Sequence, residues 1–127
     1  SSSLIAILAQ RLVRKICPNC RAEYQPALHE LRELGFGQQD TKGLKFYIGQ
    51  GCSKCFDTGY RGRTGIHELM LISESIRTMI HERQNAQVIK QKAQEEGLVT
   101  LRMDGARKVM LGITTIGEVL RVTQADV

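Results

Sequence analysis

A chain of 127 residues has room for one ordinary core or two small ones. Its 42% apolar and 24% charged residues suit a globular domain whose packing is aliphatic, with three Phe, three Tyr and no Trp. The longest uninterrupted apolar run, Leu4 to Ala9, is far short of the roughly 20 residues that cross a bilayer, and positive charges follow rather than precede it, so it reads as neither a membrane span nor a secretory leader. A formal charge of +5 raises nucleic acid as a partner, but the basic residues are scattered with no aromatic platform among them, and no nucleic-acid role is expected.

Leu4, Ile5, Leu8 and Leu12 stand at helical spacing behind three serines, which predicts a helix over the first dozen residues, giving way to a short strand at Leu12 to Ile16. In EYQPALHELRELGFG, Pro26 suits a first helical turn, and Leu28, Leu31 and Leu34 line one side before Gly35-Phe36 closes the helix. QQDTKG is a polar turn and LKFYI a strand. GIHELMLI reads as a second strand, with Ile66, Met70 and Ile72 on one side, Leu69 and Leu71 on the other, and both faces at least partly covered. From Ser73 onward four short helices follow, capped by Ser73, Asn85, Thr100 and Thr115. Thr115 and Glu118 have the spacing of a capping box, and Gly97-Leu98 and Gly112-Ile113 repeat the ending of Gly35-Phe36. Gly105 inside a helix costs about 1 kcal/mol against Ala, which points to a close contact there.

All four cysteines fall in two short pairs, Cys17/Cys20 in CPNC and Cys52/Cys55 in CSKC. Two such pairs complete a tetrahedron of sulfur around Zn²⁺, and a closed four-sulfur shell makes a structural site rather than a catalytic one. Amides two and three residues beyond the leading cysteine can donate to its sulfur, while Arg14, Lys15, Arg21 and Lys54 can offset the formal charge of the tetrathiolate. Closing the 31 residues between the pairs costs about 3 kcal/mol plus a constant, which the roughly 10–16 kcal/mol of structural zinc exceeds. Two disulfides, a thiol oxidoreductase and an iron–sulfur cluster are the alternatives to zinc.

No GxxxxGK[ST] loop is present, so the glycines of GYRGRTG, with Arg61 and Arg63 among them, are a turn entering a strand before they are a phosphate cradle. His67 reads as a core histidine, His29 and His81 as solvated ones, and Met103 and Met110 as gap-fillers. No nucleophile arrangement or carboxylate pair can be assembled, and no catalytic residue is assigned.

LAQRLVRKICPNC, CSKCFDTGYRGRTGIHELM and TLRMDGARKVMLGITTIGEVLRVTQAD together resemble the C-terminal end of type II secretion ATPases, relatives of the type IV pilus assembly ATPases. The resemblance implies a cytoplasmic motor, peripheral at the inner membrane, that works as a homo-hexamer against secretion platform proteins and takes ATP and Mg²⁺ through segments upstream of this chain. It implies an α+β fragment of a RecA-like ATPase domain. Residues 1–16 would be the tail of the core, 17–61 a tetracysteine zinc subdomain whose own apolar content is small, and 62–127 a returning strand and C-terminal helical subdomain. The chain by itself would be inactive. A pilus assembly motor and, in another class, a zinc-ribbon nucleic-acid module are the competing readings.

Overall fold

A computed structural model describes residues 5–37 and 41–123. Strand β1 (Ile5–Ile16) pairs antiparallel with β4 (Tyr60–Ile72), in register from Ile5 opposite Ile72 to Arg14 opposite Arg63, with a register shift before Ile16 meets Tyr60. The helix expected over the first dozen residues is therefore a strand from Ile5 onward, while Leu4 and the serines lie outside the described residues. The reason is a degeneracy of spacing. Leu8 and Leu12, four apart, share a face in either conformation, and the β-branched Ile5, Ile7, Val13 and Ile16 then favour the ladder that β4 offers.

Between these strands lies an insert. Strand β2 (Arg21–Tyr24), too short and polar to stand out in the sequence, pairs antiparallel with β3 (Phe46–Gly49). Helix α1 (Leu28–Leu34) begins two residues beyond Pro26, with Ala27 as N-cap donating its N–H to Glu30 Oε1 at 3.1 Å. Residues 38–40 of the expected polar turn lie outside the described residues. Gly49 and Gly59 cross backbone to backbone, so closely that a Cβ on Gly49 would collide with the Gly59 carbonyl. That crossing sets the second cysteine pair beside the first.

Helices α2 (Glu74–His81), α3 (Ala86–Glu95), α4 (Leu101–Met110) and α5 (Ile116–Thr123) complete the described fold. Ser73, Asn85 and Thr100 accept from Ile76, Gln87 and Met103 amides, and Thr115 Oγ1 accepts from Glu118 N–H at 3.1 Å, each cap contributing about 1 kcal/mol. Only half of the expected capping box is seen, because the Glu118 carboxylate is engaged by Arg14 and Arg121. Gly35, Gly97 and Gly112 are all left-handed, and the amides of Phe36, Leu98 and Ile113 reach back to Leu31, Ala93 and Lys108 carbonyls at 2.9, 2.9 and 3.0 Å. The close contact anticipated at Gly105 is with the Val119 methyls, into which a Cβ would collide.

One face of the β1–β4 ribbon packs on α4 and α5. Val13, Ile66, Leu101, Val109, Ile116 and Val119 are buried there, each contributing about 1.5–3 kcal/mol. Leu31, Leu34 and Phe46 of the insert belong to this same core, so the insert rests on an apolar foundation that its own composition did not suggest. A second cluster of Ile72, Ile76, Ala93 and Leu98 ties α2 and α3 to the far end of β4. The ribbon's other face is bare, contrary to the expectation of cover on both sides. Leu8, Leu12, Leu69 and Leu71 are 63%, 49%, 53% and 52% exposed, and His67, on that same side, is exposed rather than a core residue.

Candidate metal centre

The long ribbon delivers Cys17 directly from the end of β1, and the Gly49/Gly59 crossing delivers Cys52 and Cys55 opposite it. Cys17 and Cys55 are buried, Cys20 and Cys52 partly so, and all four are free thiols. Their sulfurs lie within 4.8 Å of one another. Cys17 to Cys52 and Cys20 to Cys55 are each 3.8 Å, and Cys52 to Cys55 is 3.7 Å. A regular tetrahedron with Zn–S bonds of about 2.3 Å has edges of about 3.8 Å. The donor set therefore fits one four-coordinate, thiophilic ion.

Backbone amides converge on the sulfurs. Gly51 N–H donates to Cys20 Sγ at 3.2 Å, Gly59 N–H to Cys55 Sγ at 3.2 Å and Cys52 N–H to Cys55 Sγ at 3.3 Å. Cys55 N–H, three residues beyond Cys52, donates to its sulfur in the knuckle manner, whereas the Asn19 and Cys20 amides expected to do the same at Cys17 make no hydrogen bond to that sulfur among the described residues. Burial opposes ionisation of Cys55, but hydrogen bonds from the Gly59 and Cys52 amides and from the Cys52 and Cys20 thiols together bring its pKa down to about 6. The Asn19 side chain lowers the Cys52 pKa. Burial instead pushes Cys20 up to about 11, even with the Gly51 N–H bound to it. A positive ion held among these sulfurs would favour their thiolate form.

The root of the site is clamped to α5. Glu118, 2% exposed, accepts from Arg14 N–H and the Arg14 guanidinium, both at 2.9 Å, and from Arg121 at 2.9 and 3.1 Å. Burial works against this carboxylate, yet Arg121 and Arg14 hold it down at about 2. Thr114 Oγ1 donates to Arg14 O at 2.7 Å and Ile16 N–H to Ile113 O at 2.9 Å. Of the cations expected to offset the thiolates, Arg14 is thereby committed to Glu118 and lies over the Tyr60 ring at 4.1 Å, and Arg21 lies over Tyr47 at 3.9 Å; Lys15 and Lys54 are exposed. Arg61 and Arg63 are exposed on β4, His29 and His81 are solvated as expected, and none of these joins the sulfur cluster.

Sequence reasoning did not single out Glu118 as a clamp or Asp104, whose carboxylate accepts from His67 N–H at 2.9 Å with Lys108 and Arg107 alongside. The signal available was the single acid of a helix with a basic residue three or four positions on, as in Glu118/Arg121 and Asp104/Lys108.

Residues 1–121 match the family model described as type II/IV secretion system protein. The chain is 44% identical over 97% of its length to the type IV pilus assembly ATPase PilB of Thermus thermophilus. It is 43% identical over 99% to type II secretion system protein E of Dickeya dadantii, and 44% identical over 98% to type II secretion system ATPase E of Vibrio cholerae. It spans 14% of the first and 24% of each of the others, a quarter or less of these relatives. With the match running through the cysteine pairs, the ribbon and the helices together, the chain belongs to the type II/IV secretion system protein family.

Proposed function

We propose that this chain is the metal-stapled part of a hexameric ATPase that powers type II protein secretion, with Cys17, Cys20, Cys52 and Cys55 holding one structural Zn²⁺. The sulfur tetrahedron carries this reading. Three of its edges are 3.7–3.8 Å and all four sulfurs lie within 4.8 Å of one another, which suits a single ion, and four cysteine donors leave no coordination position for substrate. Bound there, zinc would supply a cross-link between two distant turns and a positive charge that favours thiolate ligands. The residues then act mechanically, Glu118 fixing the root of the site and the metal fixing its tip, so that the insert presents a rigid basic surface to a protein of the inner-membrane secretion platform.

ATP and Mg²⁺ would be handled by the part of the parent that this chain does not span, and the chain alone would not hydrolyse ATP. The ribbon supports its being one piece of a RecA-like core. Alternate residues of an antiparallel strand turn their backbone groups outward. On β4 the outward His67 N–H and Gly65 C=O are taken by Asp104 and Lys108 of α4, and on β1 those of Arg14 by Glu118 and Thr114. The outward amides of Ala6, Leu8, Gln10 and Leu12 meet no acceptor among the described residues. An edge capped at one end and open along the other, beside a bare apolar face, fits a sheet that continues past β1.

Replacing Cys17 and Cys52 by serine in the full-length parent tests the reading: secretion should be abolished while nucleotide binding is largely kept. Full secretion by a metal-free variant would overturn it. The similarity to the PilB of Thermus thermophilus, equal to that of the secretion proteins, favours pilus assembly as the second reading, for which piliation replaces secretion as the readout.

A further inference from the structure

Phe56 follows the last cysteine and is 89% exposed, the most exposed large apolar side chain among the described residues. Its backbone is left-handed, φ 55°, as is that of Asp57, φ 60°. The knuckle imposes that turn: Asp57 N–H returns to Cys52 O at 2.8 Å, and Thr58 Oγ1 to Cys55 O at 2.7 Å. Glycine or asparagine would adopt this conformation at lower cost. An aromatic residue here is thus disfavoured twice, by its backbone and by its contact with water, and nothing in the fold draws on its side chain. Backbone strain at an exposed, rigidly held position is a mark of function.

Resting on the secretion reading above, we infer that Phe56 is the anchor by which the insert docks into an apolar pocket, bordered by carboxylates, on a folded protein of the platform. The acidic border follows from charge. In the two segments that carry the cysteines, residues 14–21 and 52–63, Arg14, Lys15, Arg21, Lys54, Arg61 and Arg63 face a single acid, Asp57. Of the six, Lys15, Lys54, Arg61 and Arg63 are exposed and make no ion pair among the described residues. A protein pocket suits this surface better than a bilayer. Interfaces concentrate binding on single buried aromatic and arginine anchors, whereas interfacial membrane binding needs a broad apolar face.

The test uses the full-length parent in cells. Phe56→Gly and Phe56→Asn relieve the left-handed strain, so both should keep one metal ion per chain and melt no lower than the wild type, while secretion (or piliation) falls at least tenfold. A photo-crosslinking phenylalanine analogue at position 56 should become joined to an integral protein of the inner membrane. Output within twofold of the wild type in both variants overturns the inference, as does crosslinking only to phospholipid or to another copy of the same chain. Deletion of the parent gene with both secretion and piliation intact would bring down the underlying reading and this inference with it. Loss of output on deletion but not in the Phe56 variants overturns the inference alone.

Discussion

Glutamine at position 118 keeps the shape of the side chain and an oxygen acceptor for Arg14 N–H, removes the charge between Arg14 and Arg121, and sets an NH2 donor where Oε2 accepts from both guanidiniums. A carboxyl held at about 2 when folded, against about 4.3 in an unfolded chain, corresponds to about 3 kcal/mol. Both guanidinium partners are about half exposed, so solvent screening reduces the expected contribution to about 2 kcal/mol. Because the folded pKa is depressed, this stabilisation is fully present above the unfolded value. It is lost as pH falls toward the folded one, more than half of it by about pH 3.

Urea unfolding of the wild type and Glu118→Gln, followed at several pH values between 6 and 3, reads the effect as a difference. Acid also displaces metal from thiolates, but it does so in both chains, and the difference isolates the carboxylate. The wild type should lead by about 2 kcal/mol near neutrality, with the gap shrinking by more than half at the acid end. Equal stabilities near neutrality, or a gap that does not change with pH, would refute the argument that an ionised Glu118 clamps β1 to α5.

Gly105→Ala should destabilise by about 1–2 kcal/mol, since the collision with Val119 exceeds the gain in helix propensity. Gly117→Ala, whose added methyl would find only Thr115 Oγ1 at 4.0 Å, should raise the melting temperature. Hydrogen exchange on the isolated chain should be fast at Leu8, Gln10 and Leu12 and slow at Arg14 and His67; in the full-length parent all five should be slow. Fast exchange of the first three in the parent would mean that no strand continues the sheet at β1.

What was legible in the sequence was local. The caps at Ser73, Asn85, Thr100 and Thr115 and the endings at Gly35, Gly97 and Gly112 depend on bonds between residues two to five positions apart, so residue type and spacing suffice to place them. The two cysteine pairs were legible for the same reason, each pair being its own short turn. What the sequence hid was long-range. Helix or strand at Leu8 and Leu12 was decided by β4, more than fifty residues on, and the clamp at Glu118 joins residues 104 positions apart. The exposure of His67 depends on which face of the ribbon α4 and α5 cover, and the alternating apolar pattern of GIHELMLI is the same for either choice.

The measurement that bears most directly on the central claim is X-ray absorption at the zinc edge on freshly purified chain. The account predicts one zinc per chain surrounded by four sulfurs at about 2.3 Å with no nitrogen or oxygen neighbour, and loss of that shell in Cys17→Ser/Cys52→Ser. Freshly purified chain that contains no metal, yet keeps the β2–β3 sheet and the Gly49/Gly59 crossing ordered, would contradict it.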